Sequence, residues 1–216
     1  MKYYKILNEK ENHKGFQYKT GLNVDTIPFN PTGDCQPGGL YFARENILGF
    51  LKYGVWLREV TLPEDAQVYE NGGKWKADKI ILGERGRITA DTVKRLLDEG
   101  ADPKAHVSSA LCSAAKNGYV EIVKLLIPVS DPKACGSAAL RLAAENGHIE
   151  IVKLLIPVSD PKACGSSALR SAAENGHIEI VKLLIPVSNP KACSSSALYS
   201  AAENGHIEIV KLLEKK

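Results

Sequence analysis

A nearly literal internal repeat fills the C-terminal half of the chain. Residues 131–159 and 160–188 are almost identical, residues 189–216 form another copy, and residues 102–130 form a diverged first copy. The copies follow one another at a spacing of 29 residues, which is marked by the prolines Pro103, Pro132, Pro161 and Pro190. A period of this length indicates a solenoid, in which each repeat contacts its neighbours and a lone repeat has no core of its own.

Each copy has the pattern of two helices. In the second copy, the first helix is predicted to begin near Ser137 or Ala138, where a serine would serve as N-cap, and to end at Asn146 and Gly147. The second helix, residues 148–156, is apolar nearly all round. Such a helix must be covered on several sides, and stacked copies supply that cover. We therefore expect a mainly α fold with four helix pairs.

The string SALRSAAENGHIEIVKLL, residues 167–184, resembles the ankyrin consensus, in which Ala-Ala, Gly-His and Glu-Ile-Val are followed by leucines. The resemblance recurs four times and covers about half of the chain. It implies an ankyrin-repeat solenoid that binds another protein. These repeats are 29 residues long rather than the usual length of about 33, and the shortfall lies in the hairpin between copies. A binding role of long hairpin fingers is therefore not carried over.

The N-terminal segment has a different character, since both tryptophans and all four phenylalanines lie in residues 1–85. Strands are predicted at residues 55–62 and 79–82, a helix at residues 44–53, and a turn at residues 30–34. The predicted organisation has three parts, which are an α+β module (1–85), a linker with a capping helix (86–101), and the ankyrin repeats (102–130, 131–159, 160–188 and 189–216).

Two resemblances concern the N-terminal module. The strings GFQYKTGLN, PGGLYF, FLKYG, LREVTLP and KIILG, in this order before a repeat array, resemble ankyrin-repeat proteins of mimivirus-like giant viruses. The segment GGLYFA before a helix and a LREVTLP strand is similar to the ADP-ribosyltransferase core, which implies that Tyr41 would stack on nicotinamide. In place of an upstream His-Gly-Ser/Thr segment the chain has His13, Lys14 and Gly15. The alternative function is thus an ADP-ribosyltransferase-like domain with the array as substrate adaptor.

The sequence predicts a binding protein without catalytic residues, cofactor or metal. His148, His177 and His206 recur with the repeat, but helices in contact lie roughly 8–10 Å apart, which is too far for ligands of one ion. The same spacing argues against disulfides between Cys135, Cys164 and Cys193, which we expect to be small buried or half-buried side chains. The other cysteines, Cys35 and Cys112, form no CxxC motif.

The candidate binding residues are those that differ between nearly identical copies. They occupy the two positions after the leucine of the first helix, which we call position 1 and position 2. Position 1 is held by Cys112, Arg141, Arg170 and Tyr199, and position 2 by Ser113, Leu142, Ser171 and Ser200. Because the leucine and the alanines three and four residues later share the packed face, both positions are predicted to point outward, on the concave side of an ankyrin array.

The remaining expectations concern partners and compartment. A net charge of +3 does not indicate binding to nucleic acid or membrane, and no apolar run is long enough to span a bilayer. The N-terminus lacks the apolar stretch of a secretory signal. We therefore expect an intracellular protein, in the host cytoplasm if it is viral, that binds a protein partner such as a host factor.

Overall fold

The computed structural model describes residues 2–32 and 36–215. Its strands are β1 Tyr3–Leu7, β2 Asn12–His13, β3 Phe16–Gln17, β4 Gly21–Val24, β5 Leu40–Ala43, β6 Trp56–Thr61, β7 Val68–Asn71, β8 Lys74–Ala77 and β9 Lys79–Arg87, with a 3₁₀ helix at Glu45–Tyr53. Its α-helices are α1 Ala90–Asp98, α2 Ala105–Lys116, α3 Val120–Leu126, α4 Ala134–Glu145, α5 Ile149–Leu155, α6 Ala163–Glu174, α7 Ile178–Leu184, α8 Ala192–Glu203 and α9 Ile207–Glu214. The chain divides into two parts, Met1–Ala110 and Leu111–Lys216.

An antiparallel sheet dominates the first part. Its strand order is β4-β9-β6-β1-β5-β8-β7, while β2 and β3 form a separate hairpin. The core on the sheet includes Leu7, Phe42, Val60, Ile80 and Leu82, which are all buried. The predicted mainly α class is therefore wrong for the whole chain. The sequence did not reveal that its short strand segments pair into one seven-stranded sheet.

The elements predicted in the first part are largely confirmed. The strand predicted at residues 55–62 is β6, and that predicted at residues 79–82 is the first half of β9. The helix predicted at residues 44–53 is present in the tighter 3₁₀ form. Part of the turn predicted at residues 30–34 falls on residues 33–35, which lie outside the described residues, as does Cys35.

The helix pairs predicted from the repeat are confirmed, as α2–α3, α4–α5, α6–α7 and α8–α9. In the second copy Leu140, Ala143 and Ala144 are completely buried, and so are Ile151 and Val152. The second helices are thus covered on more than one side. This is the environment that their apolar sequence requires.

A left-handed turn interrupts the beginning of the first helix of each repeat, within the bounds given above, and the sequence did not indicate it. In the second copy Cys135, Gly136 and Ser137 have φ angles of 49°, 62° and 60°. The right-handed helix follows this turn, close to the predicted start. The predicted N-cap hydrogen bond of the serine is replaced, because the Ser137 hydroxyl accepts from the backbone N–H of Asp160 at 2.8 Å. The serine therefore joins two repeats rather than capping its own helix.

The repeated histidines also join neighbouring repeats. The Nε2–H of His148 donates to the backbone carbonyl of Lys116 at 2.9 Å. In the same way, His177 and His206 donate to the backbone carbonyls of Glu145 and Glu174, each at 3.0 Å. Each ring lies against the glycine that ends the preceding first helix. Each ring is held in a hydrogen bond between repeats, as expected of a turn histidine that bonds to its neighbours.

The stacking contact predicts unequal effects of two equivalent substitutions. Gly147 and Gly205 have φ angles of +75° and +73°, so alanine is strained at both. A Cβ at Gly147 would lie 2.9 Å from Cε1 of His177, whereas a Cβ at Gly205 meets nothing within 4 Å. We expect Gly205→Ala to lower the free energy of unfolding by about 1–2 kcal/mol and Gly147→Ala by roughly 1–3 kcal/mol more.

Urea unfolding followed by helical circular dichroism measures both effects. Gly205→Ala is the matched control, since it carries the backbone strain without the histidine ring. Equal losses from the two substitutions would mean that the histidine contact does not hold the repeats together.

Candidate functional site

Position 1 of the first helices is exposed in the third and fourth copies. Tyr199 is 63% exposed and Arg170 is also exposed, whereas Arg141 and Cys112 are half-buried. Burial raises the pKa of the Cys112 thiol above its usual value. Arginine and tyrosine are residue types that often anchor protein interfaces. Position 1 therefore presents two strong candidate anchors in the last two copies.

Position 2 does not point outward as predicted. Ser113 and Ser171 are each 8% exposed, and Leu142 and Ser200 are half-buried. The reason is that a middle helix such as α6 packs against α4 on one side and α8 on the other. The first helices therefore have covered flanks in addition to the face that carries the leucine. The serines at position 2 in the first, third and fourth copies are small enough to let neighbouring helices approach.

The two arginines of position 1 differ in their charge partners. Arg141 donates to the Glu145 carboxylate at 2.8 Å, one helical turn away. Within residues 2–32 and 36–215, no carboxylate lies within salt-bridge distance of Arg170, although Glu174 occupies the equivalent position. The guanidinium of Arg170 thus keeps its donors for an incoming group.

The repeated cysteines do not have the predicted burial. Cys135, Cys164 and Cys193 are exposed, because each begins the left-handed turn at the surface. All three are free thiols. Among the described residues, no three His, Cys, Asp or Glu side chains group together as metal ligands.

A cavity of about 370 Å³ lies in the first part of the chain. It opens where β1 and β5 separate, since these strands pair at Tyr4 and Ala43 alone while β1 continues to Leu7. The 3₁₀ helix contributes Phe50 and Tyr53 to the wall. Separated strands and a helix thus leave a concave space in an otherwise continuous sheet.

Lys5 is the buried charged group of this cavity. Its side chain is 5% exposed, its Nζ donates to the Tyr41 carbonyl at 2.5 Å, and it lies 4.3 Å from the centre of the Tyr18 ring. Burial lowers the pKa of Lys5 to about 7. Burial also lowers the pKa of the neighbouring His13, and the charges of Lys5 and Lys14 lower it further.

The loop that carries His13 is held by a buried ion pair. Arg58 is 3% exposed and donates to both carboxylate oxygens of Glu11, at 2.7 and 3.0 Å. Arg58 also donates to the Thr20 hydroxyl at 2.9 Å. Glu11 stands two residues before His13 in the segment that leads into the β2–β3 hairpin. This bidentate pair therefore fixes the hairpin at the rim of the cavity.

Sequence reasoning named Tyr41 and His13 only through the ADP-ribosyltransferase resemblance, and it did not name Lys5. Tyr41 and His13 both line the cavity, although 28 positions separate them in the sequence (41 − 13). The signal for Lys5 was a lysine inside the apolar strand YYKIL, where a charged side chain needs a special environment. The cavity itself had no local signal, because it depends on how distant strands pair.

The comparison with known proteins settles the family of the repeats. The family described as ankyrin repeats (3 copies) matches residues 84–163 and 140–216, which together exceed half of the chain. The chain belongs to the ankyrin-repeat family. Ankyrin repeats are protein–protein interaction modules, and the repeats of this chain are therefore assigned that general role.

The ankyrin-repeat chain is similar to proteins of Acanthamoeba polyphaga mimivirus. An uncharacterized protein of this virus is 41% identical over 133 residues, which are 58% of this chain and 96% of the viral protein. Two putative ankyrin repeat proteins are 38% and 39% identical, over 58% and 50% of this chain and 66% and 38% of their own lengths. The predicted resemblance to giant-virus ankyrin proteins is confirmed. Within the described residues, no helix has the length and apolar character needed to cross a membrane.

The buried Lys5 predicts how stability depends on pH. Unfolded lysine has a pKa of 10.5 and folded Lys5 one of about 7, so between these values the unfolded state binds one more proton. The free energy of unfolding should therefore rise with pH, by on the order of 2 kcal/mol between about pH 7.5 and 9.5. This rise should be absent from Lys5→Met.

Tryptophan fluorescence during urea unfolding makes this measurement specific, since Trp56 and Trp75 both lie in the first part. Subtracting the Lys5→Met values removes the effects of other groups, including Tyr4 and Tyr18, whose pKa values burial raises. Parallel pH curves for the two proteins would contradict the lowered pKa of the buried Lys5.

Proposed function

We propose that this ankyrin-repeat protein is a non-catalytic adaptor that recruits or sequesters a partner protein. The observation that carries the proposal is the contrast between packing positions, which repeat from copy to copy, and position 1, which varies and is exposed at Arg170 and Tyr199. This contrast is what a constant scaffold with an adapted binding face would have. The buried residues of position 2 would set the spacing of the helices beneath that face.

The chemistry of position 1 favours a partner segment with both acidic and apolar groups. Arg170 presents a planar set of donors that suits a carboxylate. Tyr199 presents a large ring with a polar end, which gives contact area at low cost in side-chain entropy. Neighbouring first helices place successive position 1 residues at roughly 8–10 Å intervals. That spacing matches an extended or helical segment.

Alanine substitution ranks the contributions of position 1. Affinity purification from the native cell followed by mass spectrometry identifies a partner, and calorimetry with that partner then gives affinities. We expect Arg170→Ala and Tyr199→Ala to lower affinity by about 2 kcal/mol or more each. Arg141→Ala should cost less, because this arginine is already paired with Glu145.

Lys182→Ala is the control for a lost surface charge. Lys182 lies on the exposed stripe of a second helix, where it is paired with Glu179 at 2.7 Å, and such surface pairs contribute about 0–1 kcal/mol. An equal or larger loss from Lys182→Ala would place the interface on the other side of the repeats. The differences at position 1 would then reflect drift among duplicated copies.

A second candidate function has one observation in its favour. Tyr41 and His13 line the same cavity, and the resemblance to ADP-ribosyltransferases gives the tyrosine a place against nicotinamide. The described residues that line the cavity include no glutamate or aspartate. The carboxylate that the resemblance requires is thus not at the cavity wall in the described part of the chain.

We expect no transfer of ADP-ribose. The purified chain, incubated with labelled NAD and lysate of the native cell, should leave all proteins unlabelled. Labelling by the wild-type chain that is lost in Tyr41→Ala would establish the second candidate and would refute the non-catalytic proposal.

A further inference from the structure

The cavity of the first part has the size of a small-molecule site. Its volume of about 370 Å³ falls within the range of roughly 300–1,000 Å³ that such sites occupy. Its walls combine aromatic rings with a few polar groups. Phe50 and Tyr53 both line it, and their stacked rings have centres 6.0 Å apart and planes at 29°, which makes this wall aromatic.

Lys5 is buried in this cavity without an acidic partner. Among the described residues, its ammonium has one hydrogen-bond acceptor, the Tyr41 carbonyl, and no carboxylate within salt-bridge distance. An ammonium has three donors, and a buried charge is normally paired. Arg58 shows the usual arrangement in the same sheet, since it is equally buried and binds Glu11 through two hydrogen bonds. Among the described residues, no lining side chain supplies the negative charge that would pair with this buried ammonium.

The other charged side chains of the wall are lysines as well. Lys14, Lys74 and His13 line the cavity together with Lys5, and none of the described lining residues is acidic. The lowered pKa of His13 reflects the positive charge of its neighbours as well as its burial. A ligand that enters this space meets positive charge on several sides and apolar rings between them.

We propose that the cavity binds a small organic anion, whose carboxylate or phosphate contacts the Lys5 ammonium and whose flat apolar body lies against Phe50 and Tyr53. The ligand supplies the negative charge that the described lining residues do not provide. Its aromatic or planar portion fills the space left by the separation of β1 and β5. This site is independent of the repeats and needs no partner protein.

Three probes of similar shape test the charge requirement. Benzoate, phenyl phosphate and neutral benzamide are titrated into the full chain by calorimetry. A charge-assisted hydrogen bond in a buried site should make at least one anion bind about tenfold tighter than benzamide, or more. The tighter of benzoate and phenyl phosphate shows whether the natural group is a carboxylate or a phosphate.

Two variants then assign the effect to Lys5. Lys5→Met should reduce the affinity for the anion by about tenfold or more, to that for benzamide. Lys2→Met removes an equal charge from an exposed side chain of the same part, paired with Glu59, and should leave affinity unchanged. Tryptophan fluorescence verifies that both variants fold.

The proposal fails if benzamide binds as tightly as the anions, since the site would then recognise a neutral amide as a nicotinamide pocket does. It also fails if no probe binds at millimolar concentration, or if folded Lys5→Met binds the anion like the wild type. Should Lys5→Met not fold, the comparison of benzoate, phenyl phosphate and benzamide in the wild-type chain decides.

Discussion

The contact between one repeat and the next is the interaction on which the array depends. A second helix such as α7 is too apolar to be stable as an isolated helix in water. Its Ile180 and Val181 are buried against neighbouring helices. Polar bonds fix the register of this contact. His177 donates to the Glu145 carbonyl at 3.0 Å, and the Ser137 hydroxyl accepts from Asp160 N–H at 2.8 Å. Apolar burial provides the stabilisation, and the two hydrogen bonds specify how one copy sits on another.

The same contact explains where the array can differ between copies without loss of stability. Most residues that touch the neighbouring repeat, such as the leucine and the Ala-Ala pair of the first helix, are equal in all copies, since every copy meets a similar surface. A position 1 residue such as Arg170 or Tyr199 is released from that requirement because it faces solvent. A repeat protein can therefore change its binding face one copy at a time. The proposed adaptor function uses this separation of scaffold and face.

The repeats could be predicted because every copy carries its own pattern. The leucine, the Ala-Ala pair and the Asn-Gly end of each first helix are local signals, and the helices appear where those signals place them. Exposure at position 2 was predicted wrongly because the prediction considered one helix by itself, with a single packed face. In the structure, a helix such as α6 lies between α4 and α8 and is therefore covered on further sides. The exposed cysteines were missed for a related reason, since three consecutive left-handed residues have no sequence signature when two of them are Cys and Ser.

The first part resisted prediction because its sheet joins distant segments. Tyr3 pairs with Val60, and Tyr4 pairs with both Glu59 and Ala43, so the cavity beside β1 depends on three regions of the chain. A strand pattern predicts alternation of faces but not the neighbour of each strand. The burial of Lys5 without an acidic partner among the described residues follows from this arrangement. It is thus a property of the fold and not of any local motif.

Native-state hydrogen exchange tests most directly whether neighbouring copies stabilise one another. The amides of Val181 and Val210 occupy equivalent positions and make equal bonds of 3.0 Å, to the carbonyls of His177 and His206. Val181 is fully buried between copies, whereas Val210 is half-buried in the last copy, where Ile207 is 67% exposed. If stability comes from the contact between repeats, Val181 should exchange more slowly than Val210 by at least about tenfold. Equal protection of the two amides would contradict the account, because it would mean that each helix pair is stable without its neighbour.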